Sequence, residues 1–188
     1  MATHVALLRG INVGGRNKVA MADLREIMAS LGHTDVATYI QSGNVVFRTD
    51  EKDTTTVAAA IEKAVEDQVG VRSAVLVLTH AELAQIARDN PYPDEPNPKM
   101  VHVVFLPAEP DPEMIASVAA AQDTVAEKGS RDVAQYAGRA LFLHTPDGFG
   151  RSELAVLLTR AGRPMSAQGA GTARNMATVR KLLEMCGS

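Results

Sequence analysis

Apolar positions in this chain follow two rhythms. Val5-Ala6-Leu7-Leu8 is a short unbroken run closed by Arg9-Gly10, which predicts a buried strand. Met21, Leu24, Ile27, Met28 and Leu31 recur at helical spacing, with Gly32 as a stop. Two β-rich runs, Val36–Ile40 and Val45–Arg48, flank Gln41-Ser42-Gly43-Asn44 and predict a hairpin in which Gly43 and Asn44 tolerate positive φ. A second helix over Thr54–Val69 aligns Val57, Ile61, Ala64, Val65 and Val69 on one face. A strand over Ala74–Leu78 follows. Thr79, with Glu82 three residues on, then opens a helix reaching about Arg88 as a capping box.

The second half repeats this order. A strand over Met100–Leu106 leads through a proline-rich loop, Pro107–Pro112, into a helix from Glu113 to about Ala121. Asp132–Tyr136 and Ala140–His144 predict a hairpin around Ala137-Gly138-Arg139. A helix over Arg151–Ala161, a weak extended stretch near Pro164–Gln168 and a last helix over about Arg174–Met185, led by Thr172 as its cap, complete the order. The hairpins also look alike: Val36-Ala37-Thr38-Tyr39 and Val45–Thr49 parallel Val133-Ala134-Gln135-Tyr136 and Ala140–Thr145. The expected fold is α+β: two similar ferredoxin-like β-α-β-β-α-β subdomains, each followed by an extra helix, from an internal duplication.

Proline marks the division between the halves. Residues 1–90 contain none, and all nine follow, four of them between Pro91 and Pro98. The expected organisation is a first subdomain over 1–90, a stiff connector over 91–99 and a second subdomain over 100–188, packed as one compact unit. In a ferredoxin-like unit the first two strands run parallel through a right-handed crossover, so their C-terminal ends share one edge. The loop Gly10–Val19 and the turn Gln41–Asn44 are therefore expected side by side.

Composition excludes several classes. The 188 residues are 46% apolar and 22% charged, ordinary for a globular protein. The formal charge of −3 argues against a general nucleic-acid coat, though a local basic site fits within it. Four Phe, three Tyr and no Trp leave the sheets without a stacking platform for RNA. No 18-residue apolar run and no basic-then-apolar leader occur, so membrane insertion is not expected and cytoplasm is the default. A single cysteine, Cys186, reads as a semi-buried helix residue in a reducing compartment. His4, His33, His80, His102 and His144 lack metal-ligand spacing, and no metal is expected. The sequence names no cofactor.

Candidate chemistry concentrates in Arg9-Gly10-Ile11-Asn12-Val13-Gly14-Gly15-Arg16-Asn17-Lys18. A glycine-rich loop between strand and helix can direct backbone N–H groups at an anion, and Arg9, Arg16 and Lys18 add cations. Gly10 and Gly15 have P-loop spacing, but Arg16-Asn17 stands where Lys-Ser/Thr is required, so no magnesium hydroxyl is supplied. The corresponding loop of the second half, Pro107–Pro112, is acidic and lacks glycine, which favours one specialised end per chain.

With Gln41, Ser42, Gly43 and Asn44 alongside, Arg9, Asn12, Gly14, Gly15, Arg16 and Lys18 form the candidate binding set for a small anionic or phosphate-bearing ligand. Arg174 and Asn175 join this set because an Arg in the first turn of a helix opposes the dipole and calls for an anion. The alternatives are an enzyme using the same site, with Arg9 and Lys18 stabilising developing negative charge but no general base, and a weak local nucleic-acid binder.

The segments Ala6–Gly15 with Lys18, Tyr39–Val45 and Thr172–Asn175 resemble the motifs of the bacterial Domain of Unknown Function 1697 family. The resemblance implies two similar α+β subdomains and no activity, and it marks the motif residues as those to test. The chain departs at Met176, where the family pattern has an aromatic residue, so it offers no ring there.

Overall fold

Each apolar run of five or six residues becomes a strand, and each longer amphipathic run becomes a helix. The computed structural model describes residues 1–160, 163–165 and 171–187. The first half comprises β1 (His4–Leu8), α1 (Met21–Ser30), β2 (Thr34–Tyr39), β3 (Asn44–Arg48), α2 (Thr54–Val69), β4 (Val75–Thr79) and α3 (His80–Arg88). The second comprises β5 (Val101–Phe105), α4 (Pro112–Ala126), β6 (Val133–Ala137), β7 (Ala140–His144), α5 (Glu153–Leu158), β8 (Thr172–Asn175) and α6 (Met176–Gly187). The strands form two antiparallel four-stranded sheets, ordered β2-β3-β1-β4 and β6-β7-β5-β8. This is the ferredoxin-like order twice over, and the two similar halves fit a duplication.

By its contacts the chain divides into two compact units, Met1–Ala84 with Arg180–Ser188, and Gln85–Val179. In the first, Ala6, Leu8, Val45, Phe47, Val75 and Val77 alternate onto one sheet face and meet Leu24, Ile27 and Met28 of α1 and Val57, Ile61 and Val65 of α2. Removing each such large side chain from water stabilises the fold by roughly 1.5–3 kcal/mol. The ends of α2 are closed by local chemistry: the Asp53 carboxylate accepts from the Thr55 N–H at 2.9 Å, and Gly70 turns left-handed at φ 69°. The capping box expected at Thr79 is formed. Its N–H donates to Glu82 Oε2 at 2.8 Å, and the Glu82 N–H donates to Thr79 Oγ1 at 3.2 Å.

In the second unit, Val104, Leu141 and Leu143 pack on Val118, Ala121 and Val125 of α4 and on Leu154, Leu157 and Leu158 of α5. The helix α4 runs past the expected Ala121 because Val125 extends the buried stripe by one more turn. Asp111 caps it, accepting from the Met114 N–H at 2.7 Å, with Pro112 at the first helical position. Asp111→Ala is expected to cost about 1 kcal/mol in urea-denaturation stability, and Asp111→Asn only a fraction of that.

The proline-rich segment is tied to the end of β7. Tyr92 stacks on the His144 ring at 5.1 Å, and the Glu95 carboxylate meets His144 Nε2 at 2.6 Å. The Asn97 N–H also donates to Glu95, and these two partners hold its carboxyl below the usual range.

Three expectations need correction. Thr172 does not cap the last helix: Thr172–Asn175 is a strand paired with β5, and Asn175 is the cap, its Oδ1 accepting from the Thr178 N–H at 2.9 Å. Four residues beside the open edge of β5 gain a ladder that an apolar-pattern reading cannot see. The helix expected over Arg151–Ala161 is shorter, Glu153–Leu158, because Phe149–Arg151 forms a separate 3-10 turn and the Ser152 hydroxyl accepts from the Ala155 N–H at 2.9 Å. In the first hairpin the positive φ angles fall on Ile40 (48°) and Gly43 (76°), while Asn44 is a buried strand residue. The extended stretch expected over Pro164–Gln168 lies outside the described residues beyond Met165.

Candidate functional site

The loop after β1 is a built object. Arg9 continues the strand, its N–H donating to the Ala74 carbonyl at 2.9 Å and its own carbonyl accepting from Ser73 Oγ at 2.8 Å. Beyond it, Val13-Gly14-Gly15-Arg16 makes a tight turn closed by the Arg16 N–H on the Val13 carbonyl at 3.0 Å. Gly14 and Gly15 both have positive φ, 58° and 76°, as a turn of the I′ type needs at its two central positions. The Asn12 N–H donates to the Asn17 carbonyl at 3.0 Å, and Asn17 Nδ2 donates to the Gly10 carbonyl at 3.1 Å. The glycines thus serve a miniature hairpin.

Asn12 is the clasp of the site. Both hydrogens of its amide nitrogen are in use, one on the Val19 carbonyl at 2.8 Å and one on the Gln41 carbonyl at 2.9 Å. Its Oδ1 accepts from the Val19 N–H at 3.0 Å. Asn12 therefore shapes the site and brings the loop against the Gln41–Asn44 turn. The turn is held from within: Asn44 Nδ2 donates to the Tyr39 carbonyl at 3.1 Å and to Ser42 Oγ at 2.9 Å, and the Gly43 carbonyl accepts from the Leu8 N–H at 2.8 Å.

Between loop and turn lies a cleft of about 370 Å³ lined by Asn12, Gly15, Lys18, Val19, Ala20 and Gln41. Its base is the start of α1. Ala20 occupies the cap position and supplies no side-chain acceptor, so no side chain caps the first amides of α1 beside the cleft. This feature was legible in the sequence, as alanine where Ser, Thr, Asp or Asn is preferred, although pattern reading passed over it. The matching helix of the second unit, α4, has its cap in Asp111.

Charge at this end of the first unit is positive. Arg16 and Lys18 are exposed, and neither side chain makes an ion pair among the described residues. Burial lowers the Arg9 guanidinium from its usual value, yet an arginine stays protonated at neutral pH. Among the described residues no Asp, Glu, His or Cys lines the cleft. Lys18 is the ionisable side chain on the lining among the described residues.

Arg174 and Asn175 belong to the second unit. The Arg174 backbone sits in β8 opposite Val103, and its Nη1 donates to the Ala173 carbonyl at 2.8 Å. Burial brings its guanidinium down to about 10. Asn175 Oδ1 serves as a helix cap. A second cleft, of about 250 Å³, is lined by Lys128, Asp132, Asp147, Arg151 and Glu153 among others; Lys128 pairs with Glu153, Asp147 pairs with Arg131 at 2.6 Å, and Asp132 accepts from the Ser152 hydroxyl at 2.7 Å.

Among the described residues no helix is long and apolar enough to cross a membrane. Residues 1–142 match the family described as Protein of unknown function (DUF1697). Among solved structures, the conserved bacterial protein SP0830 from Streptococcus pneumoniae is similar, with a TM-score of 0.71, 21% identity and 98% of each chain covered. Likeness at that identity concerns the fold alone. No curated protein matches the chain.

Proposed function

For this chain, which belongs to the DUF1697 family of proteins of unknown function, we propose binding of a small anionic, phosphate-bearing ligand in the cleft between the Gly10–Val19 loop and the Gln41 turn. The observation that carries this reading is the cleft of about 370 Å³ itself, with the unpaired Lys18 on its wall and the uncapped start of α1 at its base. Cation and helix end act in the same direction on an anion. Arg9 and Arg16 strengthen the local potential, and Gln41 adds an amide able to donate. Arg174 and Asn175 enter the proposal only as motif residues to be substituted in parallel. A cytoplasmic setting suits a ligand of this class. Binding is favoured over catalysis because, among the described residues, Lys18 is the one ionisable residue on the lining.

Isothermal titration with inorganic phosphate and with nucleoside and sugar phosphates tests the reading. Wild-type protein is expected to bind at least one of them, and Lys18→Ala to weaken that binding about tenfold, the size expected for one charge-assisted contact. Steeper binding at lower salt accompanies it. Equal affinities for wild type and Lys18→Ala, or no binding in wild type at low salt, would remove this function.

A further inference from the structure

The second cleft lies wholly within the second unit, where the loop after α4 meets the turn after β7. Among the described residues its charged lining is Lys128, Asp132, Asp147, Arg151 and Glu153. Neighbouring charges account for three of these. Lys128 and Glu153 pair with each other, and Asp147 pairs with Arg131. Arg151 is exposed and makes no ion pair among the described residues, and Asp132 makes none either.

Asp132 is the unusual member of the lining. It is only 7% exposed, so its carboxylate has given up most of its water. A carboxylate offers two oxygens and about four acceptor sites. Among the described residues it receives one hydrogen bond, from the Ser152 hydroxyl to Oδ2, and Oδ1 receives none. Helix capping does not call for this acid. Ser152 itself caps α5 by accepting from the Ala155 N–H, and in the first unit the matching helix α2 is capped by Asp53 from an exposed position. A buried carboxylate with an open oxygen therefore faces the same cleft as an unpaired guanidinium.

With the other charges paired, the lining keeps one anion and one cation for a ligand. We propose that this cleft binds a small zwitterion, an ammonium and a carboxylate on one short molecule as in a free amino acid, with Asp132 receiving the ammonium and Arg151 the carboxylate. The sheltered Asp132 makes a charge-assisted bond where water competes least, and Arg151 offers a planar fork that matches a carboxylate. The volume of about 250 Å³ lies below the roughly 300 Å³ at which pockets for drug-sized ligands begin, which suits so small a molecule.

Amide NMR titration reads the weak binding expected of a ligand with few atoms. The probes are glycine, acetate, which lacks the ammonium, and methylamine, which lacks the carboxylate. Glycine is expected to bind at least about tenfold more tightly than either fragment, the size of one charge-assisted contact. The largest shifts should fall on the amides of Gly129, Gly148 and Ser152. Arg151→Ala should bring glycine down to the affinity of methylamine, and Asp132→Asn should bring it down to that of acetate. Asp132→Asn keeps an acceptor for the Ser152 hydroxyl, and Arg151 is exposed, so both variants should retain the wild-type spectrum away from the cleft. If Asp132→Asn fails to fold, Arg151→Ala decides alone. Lys18→Ala, in the first unit, should leave glycine binding unchanged, which keeps this site distinct from the anion cleft. No shift of the cleft amides with glycine, a fragment that binds as tightly as glycine, or a glycine affinity that survives Arg151→Ala would each overturn the proposal.

Discussion

Replacing Gly43 with alanine is expected to destabilise the protein by about 3 kcal/mol in urea denaturation. Two costs combine. Gly43 sits at φ 76°, where an L side chain is strained by roughly 1–2 kcal/mol. A Cβ placed there would lie 2.7 Å from Leu8 Cβ and 2.9 Å from Ile11 Cδ1. Neither neighbour can yield easily. Leu8 is the last residue of a central strand, fully buried, and its N–H is bonded to the Gly43 carbonyl itself. Ile11 is also buried in the first core. Gly14→Ala serves as the comparison, because Gly14 has φ 58° but nothing within 4 Å of its added Cβ. It should lose only the conformational part, about 1 kcal/mol. Similar losses for both variants would show that the close approach at Gly43 does not matter.

The second large effect concerns pH. His102, on β5, stacks on Phe149 at 4.0 Å, and its buried Nδ1 has no hydrogen-bond partner among the described residues. Burial lowers its imidazole from 6.5 to about 4. The native state therefore resists protonation, whereas the unfolded chain takes up a proton near 6.5. The unfolded state binds more protons throughout that window, so stability is complete above pH 6.5 and falls as the pH drops towards 4. The loss at pH 5 relative to pH 7 is expected to be about 2 kcal/mol from this residue. His102→Phe should flatten the urea stability profile between pH 7 and 5 by that amount. Carboxylates held low, such as Glu95, titrate below this window and do not confuse it. The slope that remains comes from His4 and His33, both lowered chiefly by burial. An unchanged slope in His102→Phe would contradict the assignment.

His4 and His102 also bear on what could be read from the sequence. They occupy equivalent places, since His4 pairs with Thr79 and His102 with Asn175, each the last residue of an edge strand before a helix. This equates His4-Val5-Ala6-Leu7-Leu8 with His102-Val103-Val104-Phe105-Leu106, a closer likeness than the hairpins offered. It also places Thr38, not Tyr39, where the second half has Tyr136. The hairpin comparison slips by one residue because the turns differ in length. Long helices and apolar strands were legible because burial imposes a period on them. The strand β8 was not, since a buried Thr172 and three half-buried residues ending in Arg174-Asn175 carry no period and resemble a helix start. In the site, the meeting of loop and turn followed from topology. That Asn12 and Asn44 are used up holding it together depends on hydrogen bonds that no spacing rule specifies. The same register sets Arg174 where the first unit has the fully buried Leu78.

The closing segment of the chain bears on how the protein forms. Arg180–Ser188 belongs with Met1–Ala84, and Cys186 Sγ approaches the His4 carbonyl at 4.0 Å across a separation of 182 residues. The first unit to leave the ribosome thus lacks part of its own structure until residues 180–188 have been made. Contacts of such span slow folding, because the loop-closure entropy must be met before they stabilise anything. The loop and turn joined by Asn12, with the uncapped start of α1 and the positive φ of Ile40 beside them, sit in the unit that is completed last.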